Sequence, residues 1–372
     1  MSSLKHTFVF LPKRVLGQGF FGTVQQGTWT VENLPPVDQT PSLLPFPSLN
    51  DVASPQVNKV TREVAIKSIP RKLKTRRSST DSTPTSLNNL PYIQVEVDVL
   101  AQHRKTPFIN SLYAVIQDST HVHLVLQYCP GGDLFSLIQT YRLSRFEPTT
   151  SASFHRSMKF WASEIVLALF YLHSNHIMHG DLKCENLLID SVGHIRVCDF
   201  GLSELNCKRN CVFGRRGTDL FISPEQMQQK MFGLAVDIWA LGYIFLHMFT
   251  TLAPQVHKRN DAVNCNVINL TEMTTRHPET DPFLRNMHEL IGALLNVDRQ
   301  HRPTIQEVMV HDAFKDVDWL AVENKSNDAP WIPTPTADYF DASFTALPTT
   351  AIRVEDCTSL THYFDQVSLR WV

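Results

Sequence analysis

Four polar residues near the middle of the chain have the types and spacing of a site that handles phosphate and a divalent cation. Asp181, Lys183 and Asn186 follow a predicted helix closely, and Asp199 comes 18 residues after Asp181 at the start of Asp-Phe-Gly. A carboxylate can orient a hydroxyl group and a lysine can bind a phosphate, while one or two carboxylate or amide oxygens suit Mg²⁺. Each aspartate taken singly is more often a turn residue, so the prediction depends on the combination.

A glycine-rich turn lies near the start of the chain. Gly17, Gly19 and Gly22 precede Val24, and the turn stands between two segments of strand-forming residues. Glycines let a backbone fold closely over phosphate oxygens so that amide groups face them. The pattern alone is weak, because a simple hairpin turn also produces it. A dinucleotide-binding fold would require a helix after the turn, whereas a strand is predicted here.

A lysine in an apolar strand needs a partner. Lys67 follows Val64-Ala-Ile, and burial would remove its charge unless an acidic group faced it. Glu96 is the best candidate, because it lies in the next predicted helix, at about residues 92–103.

The elements that must position these residues change in type along the chain. Strand patterns dominate the first part, which is interrupted by a proline-rich stretch at about 31–60 and a polar stretch at about 75–91, both predicted to be surface insertions. Helical periodicity dominates the remainder. Two unlike lobes are therefore predicted, with helices in the second lobe at 158–175, 237–250, 283–296 and 304–312.

The composition limits the class of protein. The chain has 372 residues, a formal net charge of −2 and 43% hydrophobic residues, which is typical of a globular protein. This balance gives no electrostatic reason to expect nucleic acid as a partner. Seven cysteines without regular spacing do not indicate a secreted disulfide framework. With no signal peptide or membrane span predicted, a cytoplasmic protein is expected, and the basic run 71–77 is a candidate nuclear-import signal.

In combination, these motifs resemble the signature of the eukaryotic-type Ser/Thr protein kinases. The resemblance covers about residues 8–315, and further motifs are similar to the AGC group, which includes the cyclic-AMP-dependent kinases. It implies an α+β bilobal fold with a small, mainly antiparallel β lobe at about 8–127, a larger helical lobe at about 131–315 and an AGC-like tail at 316–372. The general kinase resemblance continues in Thr218, Ser223-Pro-Glu225, Asp237-Ile-Trp239 and Arg302-Pro-Thr, whereas the AGC-like motifs are Pro130-Gly-Gly-Asp133, Ala329-Pro-Trp-Ile-Pro333 and Asp338-Tyr-Phe-Asp341.

The resemblance implies a role for each candidate residue, with ATP and Mg²⁺ as cofactors and proteins bearing Ser or Thr as substrates. The implied catalytic residues are Asp181, Lys183, Lys67 and Glu96, and the implied metal ligands are Asn186 and Asp199. The implied nucleotide contacts are Gly17, Gly19, Gly22, Val24, Ala65, Lys67, Gln127, Cys129, Leu188 and Phe340. Glu225 and Arg302 are expected to form a buried ion pair.

One departure from the family pattern bears on regulation. Gly180 stands where many of these kinases have an arginine that binds a phosphate on the activation segment. Between Gly201 and Thr218 the only hydroxyl residue is Ser203. The segment is therefore expected to order without phosphorylation, through pairing of the neighbouring residues Arg215 and Arg216 with acidic groups.

The resemblance also bears on substrate choice. Asp133 and Glu185 are expected to bind arginines upstream of the target hydroxyl, which implies a basophilic kinase. Ser79 follows two arginines and is itself a candidate phosphorylation site.

Three functions remain open at this point. The leading hypothesis is an active, monomeric Ser/Thr kinase. The alternative is a pseudokinase that acts as a nucleotide-binding scaffold or interaction module, which the presence of every reacting residue disfavours. A small-molecule kinase is disfavoured by Thr218 and by Ser223-Pro-Glu225, which shape a peptide platform in the resembling family.

Overall fold

The computed structural model describes two compact units. The first is built from 1–87, 112–128 and 341–372, and the second from 88–111 and 129–340. The described residues are 8–19, 22–32, 59–74, 86–143, 148–208, 211–214, 216–218, 221–250, 281–334 and 352–354. Most of both predicted insertions lies outside these ranges, as do Ser79, Arg215 and Phe340.

The first unit contains a six-stranded antiparallel sheet with the strand order β10-β1-β2-β3-β7-β6. Residues 64–67 and 122–126, on two adjacent strands, are buried on both faces of the sheet. On one face, Trp29, Val64, Ile66, Ile116 and Val125 form a buried cluster. The strands are β1 (Phe8–Gly19), β2 (Gly22–Glu32), β3 (Lys59–Pro70), β6 (Leu112–Gln117), β7 (His121–Gln127) and β10 (Ile352–Val354). A separate pair is formed by β4 (Lys72–Lys74) and β5 (Ser86–Asn88).

The second unit is mainly helical. Its central helix is apolar nearly all round and correspondingly buried along almost its whole length, as expected for a helix inside a larger lobe. The helices are α1 (Leu90–Gln102), α2 (Leu134–Leu143), α3 (Pro148–Ser174), α4 (Pro224–Met227), α5 (Ala235–Phe249), α6 (Pro282–Leu294), α7 (Ile305–Met309) and α8 (Trp319–Glu323). A short hairpin of β8 (Leu187–Ile189) and β9 (Ile195–Val197) follows the segment that carries Asp181.

The predicted fold class is confirmed, with an antiparallel sheet in one unit and helices in the other, but two boundaries were wrong. The second insertion was predicted to reach residue 91, whereas β5 occupies Ser86–Asn88 and α1 begins at Leu90. Pro91 was taken for a loop residue, yet the first turn of a helix accepts proline because its N–H groups have no helical partner. Helix α3 begins ten residues before the predicted start at 158, because its polar first turns lack the apolar period.

No helix in the described ranges combines the length and apolar character that crossing a membrane requires.

Candidate active site

In the first unit, the sheet register aligns several predicted nucleotide contacts. Val24 on β2 lies directly opposite Lys67 on β3, and Gly17 on β1 lies opposite Val24. Ala65 is two residues from Lys67, so the two side chains leave β3 on the same face. Three adjacent strands therefore present Gly17, Val24, Ala65 and Lys67 together.

The three positions of the turn favour glycine for different reasons. Gly22 has a φ of +153°, and a Cβ there would lie 2.1 Å from the carbonyl oxygen of Ser68, so any side chain would force the strands apart. Around the Cβ positions of Gly17 and Gly19, no atom of the residues that the structure describes lies within 4 Å. Packing therefore explains Gly22, whereas the open space over Gly17 and Gly19 suits the close approach of a ligand to the backbone.

Lys67 is buried on this sheet, with 7% of its surface exposed. Glu96 is buried on α1 of the second unit. Their pairing stays a prediction. Gln127 ends β7 of the first unit. Cys129 belongs to the second unit and has a buried thiol whose pKa burial raises to about 12. That thiol is therefore inert near neutral pH.

In the second unit, Asp181 is held from two sides. The backbone N–H and the hydroxyl of Thr218 both donate to Asp181 Oδ1, each at 2.8 Å. Lys183 Nζ lies 3.0 Å from Asp181 Oδ2 and donates to Thr218 Oγ1 at 2.7 Å. These contacts fix the orientation of the carboxylate, while its side chain keeps some solvent exposure.

Asn186 and Asp199 are brought together by backbone pairing. The N–H of Cys198 donates to the carbonyl oxygen of Asn186 at 3.0 Å, one residue before Asp199. The Nδ2 of Asn186 donates to the backbone carbonyl of Asp181 at 2.8 Å, which leaves Oδ1 as the amide atom available to a cation. One amide oxygen beside one carboxylate is a donor set that fits Mg²⁺.

Glu96 lies near the same turn. A Cβ built on Gly201 would lie 3.8 Å from Glu96 Oε2 and 3.7 Å from Asp199 Oδ1. Asp199 adopts a φ of +63°, the left-handed conformation that non-glycine residues rarely take. Backbone strain of this kind is found chiefly at functional sites, where the surrounding structure holds it in place.

Asp237 on α5 anchors the segment before Asp181, a role that the sequence analysis did not assign. Its carboxylate accepts the N–H of His179 at 2.8 Å and the N–H of Gly180 at 2.9 Å, and His173 Nε2 lies 3.1 Å away. Asp237 is 1% exposed. Because these contacts join residues far apart in the sequence, no local pattern could have revealed them.

Gly180 is sterically constrained. It has a φ of +79°, and a Cβ there would lie 2.5 Å from the carbonyl oxygen of Leu202. Any side chain at this position would therefore require the segment after Asp-Phe-Gly to move away. Glycine at position 180 thus accompanies a close approach of two backbone segments.

Contacts to the rest of the second unit hold the described part of the segment after Asp-Phe-Gly. Ser203 is buried and its hydroxyl donates to the carbonyl oxygen of His179 at 3.0 Å. Arg216 pairs with Glu204 at 3.0 Å, and its carbonyl oxygen accepts the side-chain amide of Gln226. Arg216 was predicted to pair with an acidic group in this way, whereas Arg215 lies outside the described residues.

A disulfide that the sequence analysis did not anticipate joins Cys207 to Cys211 in the same segment. Five cysteines belong to the described residues, and the other three, Cys129, Cys184 and Cys198, form no disulfide with one another or with this pair. The spacing of four residues gave no signal, because two thiols so placed are equally compatible with free cysteines.

Two carboxylates near Asp181, those of the half-buried Asp133 and of the more exposed Glu185, have raised pKa values. Burial raises the pKa of Asp133, which stands at the start of α2, although hydrogen bonds from Ser136 act in the opposite direction. Burial also raises the pKa of Glu185, and the negative charges of Asp133 and Asp181 add to that rise. A cation placed beside this pair would relieve both the desolvation and the repulsion.

The expected buried ion pair is confirmed. Arg302 Nη1 and Nη2 donate to the two carboxylate oxygens of Glu225, each at 2.7 Å. The guanidinium group also lies over the ring of Trp239, 4.8 Å from its centroid. This bidentate arrangement ties α4 to the start of α5, since Arg302 Nη1 donates to the carbonyl oxygen of Ala235 as well.

Comparison with known protein families matches residues 52–314 to the protein kinase domain. The match covers more than half of the chain, and the chain therefore belongs to the protein kinase family.

Curated relatives are protein kinases by name, and several of the names specify Ser/Thr kinases. Serine/threonine-protein kinase sgk-1 of Caenorhabditis elegans is 32% identical over 255 residues, which make up 66% of this chain and 51% of the relative. RAC-beta serine/threonine-protein kinase B of Xenopus laevis is 32% identical over 259 residues, 66% of this chain and 50% of the relative. The cAMP-dependent protein kinase catalytic subunit PRKX of Homo sapiens is 31% identical over 247 residues, 65% of this chain and 64% of the relative. The chain thus spans about half the length of the first two relatives.

Proposed function

We propose that this chain transfers the γ-phosphate of ATP to Ser or Thr hydroxyls of protein substrates and that it is an AGC-like kinase. The observation that carries the proposal is the arrangement around Asp181, whose carboxylate is oriented by Thr218 and Lys183 beside Asn186. The names of the relatives support the reaction and the AGC group.

Asp181 acts on the substrate hydroxyl in this proposal. Its carboxylate accepts the proton as the hydroxyl oxygen forms a bond to the γ-phosphorus, and the bond to the bridging oxygen of ADP breaks. Lys183 places a positive charge beside the transferring group. Thr218 occupies Oδ1 with two hydrogen bonds, so the substrate hydroxyl approaches Oδ2, beside the Lys183 ammonium group that lies 3.0 Å from it.

Asn186 and Asp199 would hold Mg²⁺, which when bound supplies charge neutralisation to the phosphate oxygens. The remaining residues position the nucleotide. Lys67 pairs with its phosphates and is itself held by Glu96. The backbone of the glycine-rich turn covers the phosphates, and the predicted adenine contacts are Val24, Ala65, Gln127, Cys129, Leu188 and Phe340.

We further propose that substrates carry arginine upstream of the target residue. Asp133 and Glu185 are the acceptors, because their raised pKa values reflect two carboxylates that gain from a nearby cation. The proposal predicts a pH effect with a definite sign. Carboxylates with raised pKa values protonate at a higher pH than ordinary carboxylates, so the KM for an arginine-containing peptide rises on acidification, whereas that of a peptide lacking arginine changes less.

Activation without a phosphate in the segment is the third part of the proposal. The supporting observations are the burial of Ser203 and the pairing of Arg216 with Glu204. Mass spectrometry of the active protein is expected to find residues 202–218 unmodified.

The test is incubation of the purified chain with Mg²⁺-ATP and an arrayed library of Ser, Thr and Tyr peptides. Phosphorylation of Ser and Thr peptides with upstream arginine is expected. Asp181→Ala is expected to lower turnover by about 10²–10⁴-fold, the usual share of a positioned base. Asp316→Ala is the matched control, because Asp316 is exposed on a turn of the second unit. Nucleotide binding without any transfer would instead identify the chain as a pseudokinase.

A further inference from the structure

The disulfide between Cys207 and Cys211 has one buried and one exposed end. Cys207 has no solvent exposure and packs in an apolar cluster with Met178, Val212 and Phe232. Cys211 is exposed. A reagent in solution can therefore reach the bond through the sulfur of Cys211, with the sulfur of Cys207 as the leaving group.

The disulfide closes a ring between two points at which the segment is attached to the rest of the second unit. Before the ring, Glu204 exchanges two backbone hydrogen bonds with Met178, at 3.0 and 2.9 Å. After it, Val212 exchanges two with Phe232, at 3.1 and 2.9 Å. The cystine therefore joins the two attachments and limits how far the segment between them can move.

The cysteines themselves also take part in these attachments. The N–H of Cys207 donates to the carbonyl oxygen of His176 at 2.7 Å, and the N–H of Cys211 donates to that of Phe232 at 2.8 Å. Further along the chain, Arg216 and Thr218 connect the same segment to Glu204 and Asp181. A change in the ring can thus be transmitted to the orientation of Asp181.

The stretch from Glu204 to Gly217 contains no hydroxyl residue that could carry a phosphate. Its order must then come from other contacts, and the cystine is the covalent one. A disulfide that closes so short a ring removes less chain entropy from the unfolded state than one that closes a long loop. It is therefore a weak source of global stability and better suited to local control.

We propose that Cys207 and Cys211 form a reversible redox modification site that controls the order of this segment. The oxidised form keeps the segment attached and Asp181 oriented, and the reduced form releases the ring and lowers phosphoryl transfer. The effect on transfer rests on the proposed function, whereas the effect on order does not.

The chemistry is thiol–disulfide exchange with a small dithiol. A dithiol thiolate attacks the sulfur of Cys211, the S–S bond breaks, and the sulfur of Cys207 leaves as a thiolate and takes up a proton. The second thiol of the reagent then displaces Cys211 as a thiol and closes the reagent disulfide. Two electrons pass from the dithiol to the protein, and a small-molecule disulfide reverses the reaction.

The first measurement is disulfide mapping of the full chain. Trypsin cleaves after Lys208 and Arg209, which lie between the two cysteines. In the oxidised protein the two flanking peptides stay joined through the cystine, and after treatment with dithiothreitol they separate. Free thiols at both positions in protein treated with a small-molecule disulfide would overturn the proposal.

The second measurement compares hydrogen exchange and peptide phosphorylation in the two forms. On reduction, faster exchange is expected at the amides of Cys207 and Cys211, together with a fall in turnover of roughly tenfold from the loss of positioning. Cys211→Ser is expected to show the hydrogen exchange and turnover of the reduced parent and to be unaffected by dithiothreitol. The side chain of Cys211 is exposed, so its replacement leaves no cavity. Cys265→Ser is the control and keeps the full redox response.

The outcomes separate the two proposals. Faster exchange on reduction, with no transfer from either form, would refute the proposed function and support the redox site. Equal exchange and equal transfer in both forms, with Asp181→Ala inactive, would refute the redox site and support the kinase.

Discussion

Replacing Asp237 by alanine tests whether burial decides the cost of losing a hydrogen-bond acceptor. Its carboxylate serves three donors on His173, His179 and Gly180, and 1% of the residue is exposed. Each buried donor left without a partner costs about 1–3 kcal/mol. The sum is an upper bound, because a water molecule can enter the space that the side chain vacates. We therefore expect Asp237→Ala to lower the free energy of unfolding by about 3–5 kcal/mol.

The same change should reduce activity. His179 and Gly180 directly precede Asp181, so a loosened segment misplaces the reacting carboxylate. We expect turnover to fall by roughly 10²-fold, the cost of a misplacement of about 1 Å. The turnover of Asp237→Asn should lie between those of the parent and Asp237→Ala, because the amide keeps one acceptor oxygen but turns its NH₂ group toward a donor.

Asp118 provides the matched control for this prediction. It also accepts several hydrogen bonds, from Thr120, His121 and His123, but its side chain is 47% exposed. Water can replace the carboxylate there, so Asp118→Ala should cost only about 1 kcal/mol. Urea unfolding and steady-state kinetics of both variants provide the measurements. Equal losses of stability in the two variants, or an unchanged turnover in Asp237→Ala, would refute the reasoning.

Three further predictions concern stability and turnover. Glu225→Gln breaks a buried ion pair and should lower the free energy of unfolding by about 3–5 kcal/mol. Glu204→Gln breaks a pair that is about one-third exposed and should lower it by at most about 1 kcal/mol. Similar losses for the two variants in urea unfolding would contradict this prediction. Thr218→Val removes the hydrogen bond from the threonine hydroxyl to Asp181 and should lower kcat by roughly tenfold or more. Steady-state kinetics that show a change in KM alone would contradict this prediction. Lys325 has a pKa lowered to about 8, chiefly by burial. Because the unfolded chain then binds more protons between about pH 8 and pH 10, stability should rise over that range in the parent, and thermal unfolding of Lys325→Met should show a smaller rise.

The residues with local signatures were the ones that the sequence could locate. Gly17, Lys67, Asp181 and Asp199 lie in short motifs whose residue types and spacing are set by chemistry. The structure places Lys67 on a strand opposite Val24 and sets Asp181 beside Asn186. Glu225 and Arg302 are 77 residues apart, and their pairing came from the family resemblance alone.

Features that depend on distant contacts could not be predicted in this way. Asp237 belongs to the motif Asp237-Ile-Trp239, yet its role as a hydrogen-bond acceptor depends on the backbone N–H groups of His179 and Gly180. The pairing of Cys207 with Cys211 depends on the path of the segment around Phe232 and Met178. The strand at Ile352–Val354 has only three residues, too few for a periodic signal, and its identity comes from pairing with β1.

That last strand has a consequence for biosynthesis. Phe8–Phe10 pair with Ile352–Val354 on the outer side of the sheet, so a ribosome must translate as far as residue 354 before this edge can be covered. Until then the backbone groups of β1 on that side are open to any extended nascent chain nearby. Products terminated before residue 352 would keep this edge of β1 uncovered. We expect chaperones and quality-control proteases to act on these products first.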